Sequence, residues 1–147
     1  MAGDQRIDSI EKGLPGKSGK LPSVLLAEDE PSVLFTFQAI LEEAGYEVLP
    51  APSLSEARKT IKQKPLDAII AAVSFDEECS GLQLAREAKK LASPPAVVVY
   101  SGDPSVAKLR AAMSARVDYF AFQPIDLDEI KSALFRLIAR RSDYSPA

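Results

Sequence analysis

Three consecutive acids, Glu28, Asp29 and Glu30, stand directly ahead of Pro31. One or two acids there would simply complement the positive end of a helix opening at Pro31. Three neighbouring carboxylates also repel one another. A hard cation such as Mg2+ would relieve that repulsion, since it binds through one or two carboxylates plus water or phosphate oxygens. Farther along, Ser101 offers a hydroxyl in "VVYSGD" and Gln123 an amide in "FQP". Taken singly, Ser101 reads as a residue approaching a helix and Gln123 as an exposed residue before a turn. A second acidic run, Asp76, Glu77 and Glu78, adjoins Cys79, and Asp103 adds another carboxylate. Cys79 has no basic neighbour to favour its thiolate and is assigned no role.

The absences narrow the chemistry further. The 147 residues include 0 histidines and 1 cysteine. That excludes Ser-His-Asp and Cys-His catalysis, every His-containing metal site and an internal disulfide. Such cysteine usage points to a reducing, cytoplasmic setting. A formal net charge of -3 gives no basic footprint for nucleic acid. Apolar runs fall far short of the roughly 20 residues a membrane helix needs, and the N-terminus has no secretory h-region. "GLPGKSGK" has the composition of a phosphate-binding loop, but Glu11 stands where that motif needs glycine and no strand precedes it.

The elements that would position these groups are legible from Ser23 onward. "SVLLA", "YEVLPA", "DAIIAAV", "PPAVVVYS" and "DYFAF" read as strands. Between and after them run helical stripes. The first carries Val33, Phe37, Ile40, Leu41 and Ala44 and is stopped by Gly45. The second carries Leu54, Ala57 and Ile61 behind a Ser53/Glu56 capping box. Leu84, Ala88 and Leu91 mark the third, and Val106, Leu109 and Met113 the fourth, opened by an Asp103–Pro104 cap and first-turn pair. Asp126 and Glu129 cap the last, which carries Ile130, Leu134, Leu137 and Ile138. Strict alternation of strand and helix predicts an α/β fold, a doubly wound parallel sheet of five strands. The first, third and fourth strands are apolar throughout, as central strands must be, and the second and fifth suit edges. The order 2-1-3-4-5 follows, with the functional crevice outside the C-terminal ends of the central strands. Residues 1–21 read as a flexible leader with a short helical turn near Ile7 to Ile10, residues 22–141 as the domain, and 142–147 as a tail.

With "LLAEDEP", "GLQLARE", "VVYSGD" and "DYFAFQPIDLDEI" in this order, residues 23–141 resemble the CheY-like receiver domain of two-component response regulators. The resemblance implies the flavodoxin-like (βα)5 fold and phosphorelay signalling. It also implies a third-strand aspartate that takes a phosphoryl group from a histidine kinase. Glu28 and Asp29 match the acidic pair that holds Mg2+, Ser101 the hydroxyl that contacts the phosphoryl group, and Phe120 the aromatic switch. Two positions depart from the pattern. The acceptor falls on Ala72, nine residues before Gly81, and the lysine that binds phosphoryl oxygens falls on Gln123. Alanine carries no nucleophile, and glutamine cannot place a charge on a phosphoryl oxygen.

The chain is therefore expected to be a stand-alone pseudo-receiver. It would not be an enzyme, would need no phosphorylation or cofactor, and would bind Mg2+ weakly at most. Its partner would be a protein, such as a kinase or another signalling protein. That partner would meet the fourth-helix, fifth-strand, fifth-helix face, with Tyr119 and Phe120 as anchors and Arg136 and Arg140 as rim charges; a homodimer would use the same region. Phosphorylation at a non-standard residue such as Asp76 or Asp29, and a cation sensor built on the acidic loops, are the alternatives.

Overall fold

The computed structural model describes residues 20–103 and 105–144. It contains the expected sheet: β1 (Ser23–Ala27), β2 (Glu47–Ala51), β3 (Ala68–Ala72), β4 (Ala96–Ser101) and β5 (Tyr119–Phe122). All neighbours pair in parallel, in the order β2-β1-β3-β4-β5. The helices are α1 (Pro31–Glu43), α2 (Leu54–Gln63), α3 (Ser80–Ala88), α4 (Val106–Ser114) and α5 (Leu127–Tyr144). Every residue of β3 and β4 is buried, which is why these strands lack polar alternation. The part of the expected leader up to residue 19, on which the helical turn expected near Ile7 to Ile10 and nearly all of the phosphate-loop-like stretch fall, lies outside the described residues, as do Pro104 and residues 145–147 of the expected tail. Among the described residues, no helix is long and apolar enough to cross a membrane.

The helix starts follow the sequence closely, with one correction. At α2, Ser53 caps as expected, its hydroxyl oxygen accepting from the Glu56 amide at 3.2 Å. Asp126 caps α5, accepting from the Asp128 and Glu129 amides at 3.0 and 3.3 Å. At α4 the cap is Ser105, whose hydroxyl accepts from the Lys108 amide at 3.2 Å. The Asp103 carboxylate instead accepts from the Ser105 amide at 3.1 Å, two residues short of the expected role. The short Asp side chain closes a local turn and leaves capping to the serine. The α4 stripe is corrected as well. Ala112 and Ala115 enter the core, whereas Val106 and Met113 are 64% and 72% exposed.

Gly81 fixes the end of β3. Its amide donates to the Val73 carbonyl at 2.9 Å. A Cβ there would lie 1.9 Å from the Ala72 carbonyl oxygen. Only glycine lets α3 begin this close to the strand it follows.

Candidate functional site

The C-terminal ends of β1, β3, β4 and β5 place Glu28, Asp29, Ala72, Ser101 and Gln123 at one end of the sheet. Ala72 is buried and pairs in register with Tyr100 of β4. Gln123 follows β5, its amide donating to the Ser101 carbonyl at 3.0 Å. A Cβ on Gly102 would meet the Gln123 Oε1 at 2.6 Å, so this side chain lies over the glycine. The Gln123–Pro124 peptide bond is cis. The Ser101 hydroxyl turns back on its own loop, accepting from the Asp103 amide at 3.0 Å and donating to the Asp103 carbonyl at 3.3 Å.

The two leading acids have separate environments. Glu28 is 6% exposed. Its Oε2 accepts from the Glu30 amide at 2.9 Å, and its Oε1 accepts from the Tyr100 hydroxyl. Burial first, then this hydrogen bond, raises the Tyr100 pKa well above the ordinary tyrosine value. Asp29 is exposed, and its Oδ2 accepts from the Asp76 amide at 2.8 Å. Asp76 sits at φ 66°, and its carboxylate accepts from the Leu54 amide at the start of α2 at 3.0 Å. That amide is one of the unpaired donors every helix start presents. Glu30 caps α1, accepting from the Ser32 amide at 3.5 Å.

The β3–α3 loop is held by its own side chains. The Cys79 amide donates to the Ser74 hydroxyl at 2.8 Å. The Ser80 hydroxyl accepts from the Phe75 amide at 3.0 Å and donates to the Phe75 carbonyl. Phe75 is thereby drawn into the core.

The expected switch and anchor residues divide between the two faces of β5. Phe120 is half-buried and packs against Phe122, with ring centroids 5.0 Å apart. Tyr119 is half-buried; burial first, then the neighbouring Glu129 carboxylate of α5, raises its pKa. Arg136 and Arg140 are exposed on α5. Sequence reasoning missed Phe122, 46% exposed beside Phe120, although period-2 alternation puts the two on one face. It also missed Tyr100, whose hydroxyl in an otherwise apolar strand signals a buried polar partner.

The response regulator receiver domain model matches residues 24–135. The chain belongs to the receiver family. Over 117 residues it is 28% identical to the transcriptional regulatory protein GlrR of Escherichia coli, covering 80% of this chain and 26% of that protein. It is 29% identical over 118 residues to the sensory transduction protein LytR of Streptococcus agalactiae, covering 78% of this chain and 47% of that protein. The chain thus spans about a quarter to a half of these relatives. A receiver domain from Methanospirillum hungatei superposes with a TM-score of 0.79 at 20% identity, covering 86% of this chain and all of that one. The beryllofluoride-activated NtrC4 receiver domain dimer superposes with a TM-score of 0.72 at 27% identity, covering 81% and 98%.

The Mg2+ that the family implies does not fit the donors present. Both Glu28 oxygens are taken and Asp29 already holds the Asp76 amide. Ala72 adds no carboxylate. Among the described residues no group of three or more His, Cys, Asp or Glu could hold a metal ion.

Proposed function

We propose that this receiver acts in two-component signalling as a protein-contact module, without phosphorylation and without enzymatic activity. One observation carries the reading: the buried residue ending β3 is Ala72, and the residue following β5 is Gln123. The nucleophile and the cation that would stabilise phosphoryl transfer are absent together. Their joint absence is physically coherent, because removing one member of a buried ion pair strands the other at a cost of about 3–5 kcal/mol. Phosphorylation at Asp29 or Asp76 is disfavoured by the hydrogen bonds that occupy both side chains.

Without a phosphoryl ligand, such a module holds one state or is shifted by a partner that prefers one of two. The partner surface proposed is the α4–β5–α5 edge. Val106, Leu109, Met113 and Phe122 are exposed there, with Arg136 and Arg140 on α5 as rim charges. A second copy of the chain is one occupant of that edge. A reducing, cytoplasmic setting accords with the single free cysteine.

Incubation of the full chain with acetyl phosphate and Mg2+, followed by intact mass, tests the reading. The expected result is an unchanged mass. A stoichiometric gain of one phosphoryl group refutes it.

A further inference from the structure

The register of the central strands explains how Glu28 comes to be occupied. Ala27 of β1 pairs with Ala71 of β3, and Ala72 of β3 pairs with Tyr100 of β4. One step past the β1 ladder, Glu28, Ala72 and Tyr100 therefore stand in a row across the sheet, with Ala72 in the middle. In-register neighbours of a parallel sheet project from the same face. Glu28 and Tyr100 are two strand spacings apart, about 9.6 Å. A tyrosine and a glutamate can span that gap only by meeting above the residue between them. Phe37 of α1 packs on the Tyr100 ring, with centroids 5.3 Å apart, and fixes its course on that face.

We propose that Ala72 is the small floor of a bridge in which Tyr100 crosses β3 to hold Glu28, and that this bridge closes the acidic half of the crevice in place of a divalent cation. A larger or charged residue at 72 would stand in the path of the phenol. The adjoining tie extends the same closure: Asp29 holds the Asp76 amide, and Asp76 holds the start of α2. Repulsion among the acids is thus met by neutral donors from β4, the α1 entry, the β3–α3 loop and α2. The alanine at the third-strand end is an active fit to its neighbours as well as the absence of an acceptor.

The proposal stands on this geometry and is separate from the partner surface. Phosphoryl labelling would refute the proposed function and leave the bridge intact, whereas the following cycle addresses the bridge alone. Full-length wild type, Ala72→Leu, Tyr100→Ala and the double variant are unfolded in urea. Ala72→Leu is expected to raise the unfolding constant of the wild type about tenfold or more, by obstructing the phenol. In the Tyr100→Ala background the same leucine is expected to lower it, by filling the vacated space. Equal effects of Ala72→Leu in both backgrounds would overturn the bridge. A parallel Mn2+ titration of the wild type, followed by amide line broadening, is expected to show no localised effect. Saturable broadening centred on Asp29 and Ser74 would overturn closure without a cation.

Discussion

The two halves of the crevice are built from the same kind of strand ends and end up in opposite conditions. On the β1–β3 side, Glu28, Asp29 and Asp76 are all engaged by donors from other elements, and the β3–α3 loop is held by Ser74 and Ser80. On the β4–β5 side, the Ser101 hydroxyl bonds Asp103 of its own loop, Gln123 is exposed, and Val106, Met113 and Phe122 offer apolar surface to solvent. In a phosphorylated receiver a ligand would have to couple these halves. Under the proposed function the first half needs no such ligand, and the adjustable surface is assigned to the second. Polar groups that are fully satisfied rigidify their surroundings, whereas exposed apolar groups gain from a partner.

The contrast breaks most severely at Gly81. The Ala72 carbonyl leaves no room for a Cβ, and backbone on both sides of the contact cannot rotate away. Gly81→Ala is expected to lower stability by about 3 kcal/mol, the upper end of ordinary overpacking costs. Urea denaturation checks it, and a loss below about 1 kcal/mol would mean that the β3–α3 junction is softer than the hydrogen bonds suggest.

Tyr100→Phe sharpens the same comparison. It removes one hydroxyl and leaves a buried carboxylate oxygen without its donor, which is expected to cost about 1–3 kcal/mol near neutral pH. Burial also raises Tyr46, to about 12. A tyrosine whose pKa is higher folded than unfolded stabilises the protein below its unfolded value near 10. That contribution disappears as pH rises through the folded value. The wild type should therefore lose stability between pH 10 and about 12. Tyr46→Phe should lose less over that window. Urea midpoints of both proteins across this range test the sign, and parallel curves would show that Tyr46 contributes nothing.

Most of the fold was legible because strand and helix periods alternate without interruption from Ser23 onward. The placement of two residues was legible too: Ala72 ends β3 and Gln123 follows β5, as the register set by the acidic pair, Ser101 and Gly81 implies. The condition of the acids was not. Adjacent carboxylates look alike in sequence, and nothing local shows that Glu28 turns inward to Tyr100, which is 72 residues away. The α4 stripe misled for a related reason. Helical spacing identifies a face without saying whether that face meets the core, and small Ala112 and Ala115 proved to be the packed residues. Tyr119 and Phe120 are adjacent in sequence, and a strand sends neighbours to opposite faces, so Phe120 is the one that packs beside Phe122.

The smallest expected effect on stability lies on the open half. Met113→Ser removes apolar atoms that mostly face water, so it should change folding stability by no more than about 0.5 kcal/mol. Phe122→Ser also loses the ring contact with Phe120 and should cost more than Met113→Ser. The same substitutions should weaken self-association of the full chain, or complex formation with a purified partner, measured by sedimentation. Tyr119→Ala and Arg136→Ala bear on the α5 side of the same edge, although Tyr119 is half-buried and its truncation should cost some stability. Pairing the readouts matters, because a buried residue would lower both and an idle surface residue neither. A loss of stability from Met113→Ser comparable with that of Tyr100→Phe would erase the distinction between a locked half and an open one. A loss of association alone would place the working surface on α4 and β5, beside a crevice already closed by its own side chains.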